Sequence, residues 1–277
     1  MIGHVMYRYL ESLGQYELVS SAHKRKLTDE THLVDVRNHE AVTAFLNSVR
    51  PDYVINCAGL LIEASDRHIE DAILVNSLFP NMLSRLGTDL KFKLFQISTD
   101  CVFSGREGNY SEFSEPDGSS AYARTKALGE ISNPKDLTVR TSTVGPDLDP
   151  DGVGLLTWFL KQKGNISGFT ETYWSGVTSL ELAKTVHQLI NTKVTGIVNL
   201  TSEERISKHD LLCLFQKVWR KTDVQVVRDS DYISDKSLCN TRKDFHPKVN
   251  GYEEMLIECR QWMEIHRRTY NHYFSRN

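Results

Sequence analysis

Long apolar runs are absent. No segment of the 277 residues approaches the roughly 18 consecutive apolar positions of a membrane span, and no signal peptide opens the chain. A cytoplasmic protein with no membrane partner is therefore expected. Cysteine is scarce: Cys57, Cys101, Cys213, Cys239 and Cys259 are odd in number and widely spaced, which argues against a disulfide framework and for free thiols in a reducing compartment. The ten histidines fall into no HExxH or cysteine-paired spacing, so no metal is expected. A charge excess is missing too. The 33 Lys and Arg against 36 Asp and Glu leave a net charge of −3, and with a pI near 6.4 there is no reason to expect nucleic acid as a partner.

What is present is an alternation of strand and helix patterns in a chain that is 40% hydrophobic and 25% charged, an ordinary globular balance. Residues 17–20, 32–36, 53–57, 94–97 and 138–140 read as short apolar strands. Between them, residues 5–13 read as a helix ended by Gly14, and residues 40–49 and 71–86 as two more. This order predicts an α/β fold, a doubly wound parallel sheet with helices on both faces. Past Pro146 the alternation loosens. Residues 155–161 read as a helix and 196–200 as a strand returning to the sheet. Residues 207–220 form a helix capped by Ser207, with Leu211, Leu212, Phe215 and Val218 on one face. A strand at 224–227 and a terminal helix at 252–267 follow. The expected division is a sheet domain of residues 1–146, to which 179–223 return, and a smaller α/β lobe of residues 147–178 and 224–277.

The polar residues Ser98, Thr99 and Asp100 follow directly on an apolar run, at a strand's carboxyl end, where open α/β sheets bind ligands. Downstream, Tyr122 and Lys126 are four apart and share one face of a helix. A hydroxyl, a phenol and an ammonium are what the reduction of a ketone by a nicotinamide cofactor needs. Hydride arriving at the carbonyl carbon leaves charge on the oxygen, which an acid must protonate while neighbouring donors hold it. Tyr122 reads as that acid. Its phenol, with an ordinary pKa of about 10, needs its phenolate stabilised, and Lys126 is placed to do so. The basic run His23, Lys24, Arg25 and Lys26 stands where an NAD-specific enzyme usually places an acid. It suits a 2′-phosphate, so NADPH is expected, with NADH open.

At these residues the chain resembles the extended short-chain dehydrogenases, and within them the RmlD-like sugar-nucleotide reductases of the dTDP-4-dehydrorhamnose reductase group. The likeness covers nearly the whole chain. It rests on Val54-Ile55-Asn56-Cys57-Ala58-Gly59, Val75-Asn76 ahead of Pro80, Ser98-Thr99-Asp100, Tyr122 with Lys126, Arg140-Thr141-Ser142 and Asn240-Thr241-Arg242. The resemblance implies a Rossmann-type domain with a smaller substrate-binding lobe, and a catalytic triad of Thr99, Tyr122 and Lys126. It implies a cofactor site of Gly3, Asp35, Cys57, Ala58, Gly59 and Asn76 together with Tyr122 and Lys126, with Lys126 on the nicotinamide ribose and Asn76 supporting the active-site helix. For the sugar nucleotide it implies Ser98, Asp100, Cys101, Val102, Phe103, Trp174 and Arg242. Trp174 is either a ring stacked on sugar or base or a core residue, and the Arg242 fork matches a diphosphate. Two positions depart from the rhamnose enzymes, which usually carry an aromatic where Cys101 stands and a tryptophan where Thr143 stands. Reductases of surface-polysaccharide clusters are more alike, sharing Ser-Thr-Asp-Cys-Val-Phe-Ser-Gly and a segment like Gly168-Phe169-Thr170. The activity so implied is NADPH-dependent reduction of the 4-keto group of a 6-deoxy sugar nucleotide, with a homodimer left open. The alternative is a regulatory or inactive member, since the β subunit of methionine adenosyltransferase looks like this family.

Glycine is missing where such a fold needs it. A dinucleotide site opens with a buried strand and a three-glycine turn at a helix amino terminus, and before Gly14 this chain has only Gly3. The fold is therefore expected to lack its first strand and most of its glycine-rich loop, with the true start upstream or the chain a compromised product. A weak hold on the cofactor pyrophosphate follows as an expectation.

Overall fold

A computed structural model describes residues 1–274. Four parallel strands form its central sheet, in the order β10 (Gly196–Asn199), β5 (Leu137–Thr141), β4 (Lys93–Thr99) and β3 (Tyr53–Asn56). A second parallel ribbon joins β1 (Ser21–Ala22) to β2 (His32–Leu33), and among the described residues no strand pairing links it to β3. Residues 17–20 thus lead into the ribbon instead of forming it. Only the Ser20 carbonyl reaches the ladder, accepting from the His32 amide at 2.9 Å.

Side chains of β4 alternate with the period of two that a strand buried on both faces requires. Phe95 and Ile97 join Leu137, Val139 and Val198 beneath α1 (Ile2–Leu13) and α8 (Ser179–Ile190). Leu94 points the other way, into a cluster with Val42 and Leu46 of α2 (His39–Val49) and Met82 and Leu83 of α5 (Phe79–Leu90). This is the doubly wound arrangement. Helix α8 is missing from the expected elements, although Thr178 caps it by accepting the Glu181 amide at 3.1 Å. Gly14 ends α1 in the left-handed region, at φ 62°.

The expected helix at 71–86 is broken. After α3 (Ile62–Arg67) and α4 (Ile69–Ala72), residues Ile73–Leu78 widen into a π-helical turn before α5 resumes. Pro80 accounts for the break. It has no amide hydrogen to give the carbonyl of Asn76, so the regular ladder cannot run through.

The remaining elements build a second lobe. Helix α7 (Leu155–Lys161), the parallel pair β7 (Gly164–Phe169) and β12 (Val224–Asp229), and α9 (Lys208–Trp219) enclose Phe159, Leu211, Leu212 and Phe215. A small sheet runs β11 (Ile206–Ser207), β8 (Thr172–Trp174), β13 (Ser234–Asp235), and β6 (Thr143–Val144) pairs with β9 (Val177–Thr178). The boundary at residue 223 needs correction here. Helix α9 was assigned to the sheet domain, but its apolar face packs into this lobe because β7 and β12 supply the partner surface. Helix α10 (Tyr252–Ile265) joins both, placing Met255 against the central sheet and Leu256, Cys259 and Met263 in the lobe.

Candidate active site

The site is assembled at the carboxyl ends of β3 and β4. Helix α6 (Ala121–Leu128) starts at Ser120, whose hydroxyl accepts the Ala123 amide at 3.1 Å, and this start sets Tyr122 and Lys126 one turn apart. Strand β4 delivers Thr99, followed by a 3₁₀ turn over Asp100–Val102. The Thr99 hydroxyl accepts the Cys101 amide and donates to the Asp100 carboxylate, both at 3.1 Å.

The structure brings Thr99, Tyr122 and Lys126 together. Burial, reinforced by Cys101 and only partly offset by the neighbouring Thr99 hydroxyl, holds the Tyr122 pKa above the usual tyrosine value. Lys126 is buried and donates to the Ile97 carbonyl at 2.7 Å. Burial pulls its pKa from 10.5 down to about 8, against the opposing pull of Glu130 and Cys57. The ammonium therefore rests on the strand carbonyl, and the phenol stands protonated. The lowered phenol pKa that the four-residue spacing suggests is not the resting arrangement.

Asn76 fastens the walls. Its side-chain carbonyl accepts the Leu60 amide at 2.8 Å, and its amide nitrogen donates to the Leu60 carbonyl at 3.1 Å and to the Thr125 hydroxyl at 3.2 Å. Ser77 adds a bond to the Thr125 carbonyl at 2.7 Å. One π-helical turn thereby ties the loop after β3 to α6. The Ala58 amide is held by Asn56 at 3.0 Å, Gly59 lies against Asn76, and Gly3 of α1 abuts Cys57. Burial pushes the Cys57 and Cys101 thiols up to about 12, so neither is a ready nucleophile. Asp35 lies apart, beside the β1–β2 ribbon. Its carboxylate grips Arg37 at 2.7 Å and faces His23 at 3.6 Å, with hydrogen bonds from Arg37 holding its pKa at about 2.

Five expected substrate residues have other work. Ser98 points away from the cleft and donates to Glu130 at 2.6 Å, joining the buried Arg140–Glu130 ion pair at 2.7 Å. Val102 and Phe103 are fully buried with Tyr110 and Leu238, and Phe103 stacks on Tyr110 at 4.1 Å. Their apolar side chains are what pin the turn that presents Asp100 and Cys101. Trp174 is a core ring, 3% exposed, packed beside Tyr252. Arg242 is spent on the sheet edge. It donates to the Thr195 and Ile197 carbonyls at 2.8 Å each and pairs with Asp244 at 2.6 Å, which closes the open side of β10 and leaves no fork for a diphosphate.

Sequence reasoning missed Lys208. Lys208 lies 5.2 Å from the Trp174 ring centroid, where burial lowers its pKa and Asp100 and Cys101 oppose the shift. The signal was there to see: a lysine at the first position of a helix opposes the helix dipole. Among the described residues no group of three or more His, Cys, Asp or Glu side chains is placed to hold a metal, and no helix is long and apolar enough to cross a membrane.

The family described as "RmlD substrate binding domain" matches residues 10–236. The chain belongs to this family. It is 30% identical over 223 residues to the probable low-salt glycan biosynthesis reductase Agl14 of Haloferax volcanii, covering 76% of this chain and 74% of that protein. A dTDP-4-dehydrorhamnose reductase from Clostridium acetobutylicum shares the fold with a TM-score of 0.75 at 22% identity, over 94% of this chain and 96% of that one. The Bacillus anthracis dTDP-4-dehydrorhamnose reductase, solved in complex with NADP, gives 0.73 at 21% identity, over 83% and 87%. An RmlD-type extended short-chain dehydrogenase fold is thus the frame on which the site is built.

Proposed function

We propose that this RmlD-family protein reduces the 4-keto group of a 6-deoxy sugar nucleotide with NADPH, making a deoxysugar donor for surface polysaccharide. The observation that carries the reading is the convergence of Thr99, Tyr122 and Lys126 at the carboxyl end of β4. The names of the relatives support the substrate class, being a glycan biosynthesis reductase and dTDP-4-dehydrorhamnose reductases.

The residues fit a dinucleotide. The first turn of α1 carries no acidic side chain and abuts the end of β3, as a helix amino terminus facing a pyrophosphate should. Ala58 and Gly59 offer backbone held rigid by Asn56 and Asn76. Asp35 is already neutralised by Arg37 and faces His23, the first residue of the basic run His23-Lys24-Arg25-Lys26, an environment suited to a 2′-phosphate. When bound, NADPH supplies the hydride.

The chain's own residues then handle the oxygen. Tyr122, kept protonated by burial, gives its proton to the developing alkoxide, and the Thr99 hydroxyl donates to the same oxygen. The Lys126 charge, one turn away in a buried site, stabilises the phenolate left behind. Purified protein should oxidise NADPH only when a dTDP-4-keto-6-deoxy sugar is supplied. Cofactor binding without oxidation would favour the regulatory alternative, and no binding of NADPH or NADH would end the reductase reading.

A further inference from the structure

Lys126 and Glu130 grip consecutive residues of β4. The Lys126 ammonium donates to the Ile97 carbonyl at 2.7 Å, and the Ser98 hydroxyl donates to the Glu130 carboxylate at 2.6 Å. The chain keeps turning past the end of α6, with the Gly129 amide donating to the Lys126 carbonyl at 3.1 Å and the Glu130 amide to the Ala127 carbonyl at 3.2 Å. Residues four apart on helical turns are neighbours, their β-carbons about 6 Å apart. Arg140 of β5, which stands beside Ser98 across the sheet, meets the same carboxylate with two nitrogens, at 2.9 and 2.7 Å. Water is nearly shut out: Lys126 is 5% exposed, and the Glu130 and Arg140 side chains are 5% and 1% exposed.

A mechanism that runs through Lys126 needs its ammonium charged, and burial works against that charge. Few groups face it. They are Glu130, the Cys57 thiol at the end of β3, and Tyr122 one turn back. The side chains that β4 and the π-helical turn place around α6, namely Ser98, Thr99, Asn76 and Ser77, carry no charge, and Asp100 faces Tyr122 and the Thr99 hydroxyl instead. Cys57 is pushed up to about 12 and is a neutral thiol where Lys126 titrates. Glu130 is therefore the anion that opposes burial there. With Arg140, the three groups hold one net positive charge, which a phenolate formed on Tyr122 would neutralise.

We propose that Glu130 is a positioning residue for the catalytic lysine, a carboxylate held by Ser98 and Arg140 that locks α6 onto β4 and keeps the Lys126 ammonium charged inside the fold. Its work is done through Lys126. The effect on turnover rests on the reductase reading above, while the effect on the lysine does not.

Heteronuclear NMR of isotope-labelled lysine Cε atoms, followed as pH is raised on the protein without cofactor, reads the charge of Lys126 directly. Its signal is the one absent from Lys126→Met. In wild type that signal should titrate at about 8. In Glu130→Gln the midpoint should fall by about one pH unit or more, a loss of proton affinity of about tenfold. Because that variant leaves the Arg140 charge buried without its partner, the same comparison is made between Arg140→Met and the pair Glu130→Gln/Arg140→Met, where no arginine is stranded. The pair should again titrate about one pH unit or more below Arg140→Met. Glu130→Asp, which keeps the charge, should titrate near wild type. Melting curves confirm which forms are folded, and an unfolded Glu130→Gln leaves the pair to decide. In turnover the downward break in kcat for Glu130→Gln should move to lower pH with the resonance, and most of the lost kcat should return at about pH 6, a recovery that loosened packing would not give. An unmoved Lys126 midpoint in the folded variants overturns the proposal. A shifted midpoint with no NADPH oxidation by any form, wild type included, upholds Glu130 and removes the reductase reading.

Discussion

Tyr122 and Lys126 share one buried face of α6 but are held differently, and this separates the effects of removing them. Tyr122→Phe deletes only the proton donor, so turnover should fall about 10²-fold or more while NADPH affinity and melting temperature stay near wild type. Normal turnover at saturating substrate and NADPH would exclude Tyr122 as the acid. For Lys126 the folded pKa of about 8 lies below the usual 10.5, chiefly through burial. Between those values the unfolded chain holds the proton and the folded chain does not, so this group's contribution to stability rises with pH across that window. Catalysis runs the opposite way, because the phenolate needs the ammonium charged. The kcat profile for reduction should turn down above about pH 8, and in Lys126→Met a lower kcat should lose that break. A break that persists in Lys126→Met belongs to another group. Individual residues were legible in the sequence where local spacing decides their place, as with Thr99, Tyr122 and Lys126. Arg242 was not, because its partners at residues 195 and 197 are remote in sequence and visible only once β10 has an edge.

At the scale of the element, the π-helical turn couples sequence to site. Pro80 leaves the Asn76 carbonyl without its helical donor, and Gly129, just past α6, lies against that oxygen so closely that a β-carbon would stand 1.9 Å from it. Gly129→Ala should therefore cost stability by about 1–3 kcal/mol or more and push α6 away from β4. Both losses should appear together, as a lower urea midpoint and a lower kcat. Unchanged kcat in the folded variant would show that α6 tolerates displacement. Ser120→Ala removes the cap of the same helix and should cost about 1 kcal/mol, read from urea unfolding. The caps and helix ends at Gly14, Ser207 and the start of α6 could be read from the chain because each rests on contacts within a few residues. The break at 73–78 could not. A proline near the front of a helix ordinarily marks its beginning, and the shift to π geometry depends on Thr125 and Leu60 as distant partners of Asn76.

Across the whole molecule, α10 is the element that makes two apolar clusters one folding unit, with Met255 on the sheet side and Met263 on the lobe side. Met263→Ala should cost about 2–5 kcal/mol, and urea unfolding followed by both circular dichroism and tryptophan fluorescence should still give coincident transitions. Two separated transitions would mean that the clusters unfold independently. The doubly wound core was legible because strand and helix alternate regularly up to Pro146. The lobe's boundary was not, because α9 has the same amphipathic pattern whichever cluster it joins. The Asn76 clamp has one further consequence, in the time domain. Leu60 lies in a loop, where amide protons ordinarily trade with solvent within seconds, yet its N–H is donated to Asn76 inside the fold. Its deuterium uptake should follow the slow opening of the core and not the breathing of the surface, making one loop amide a clock for the intact site.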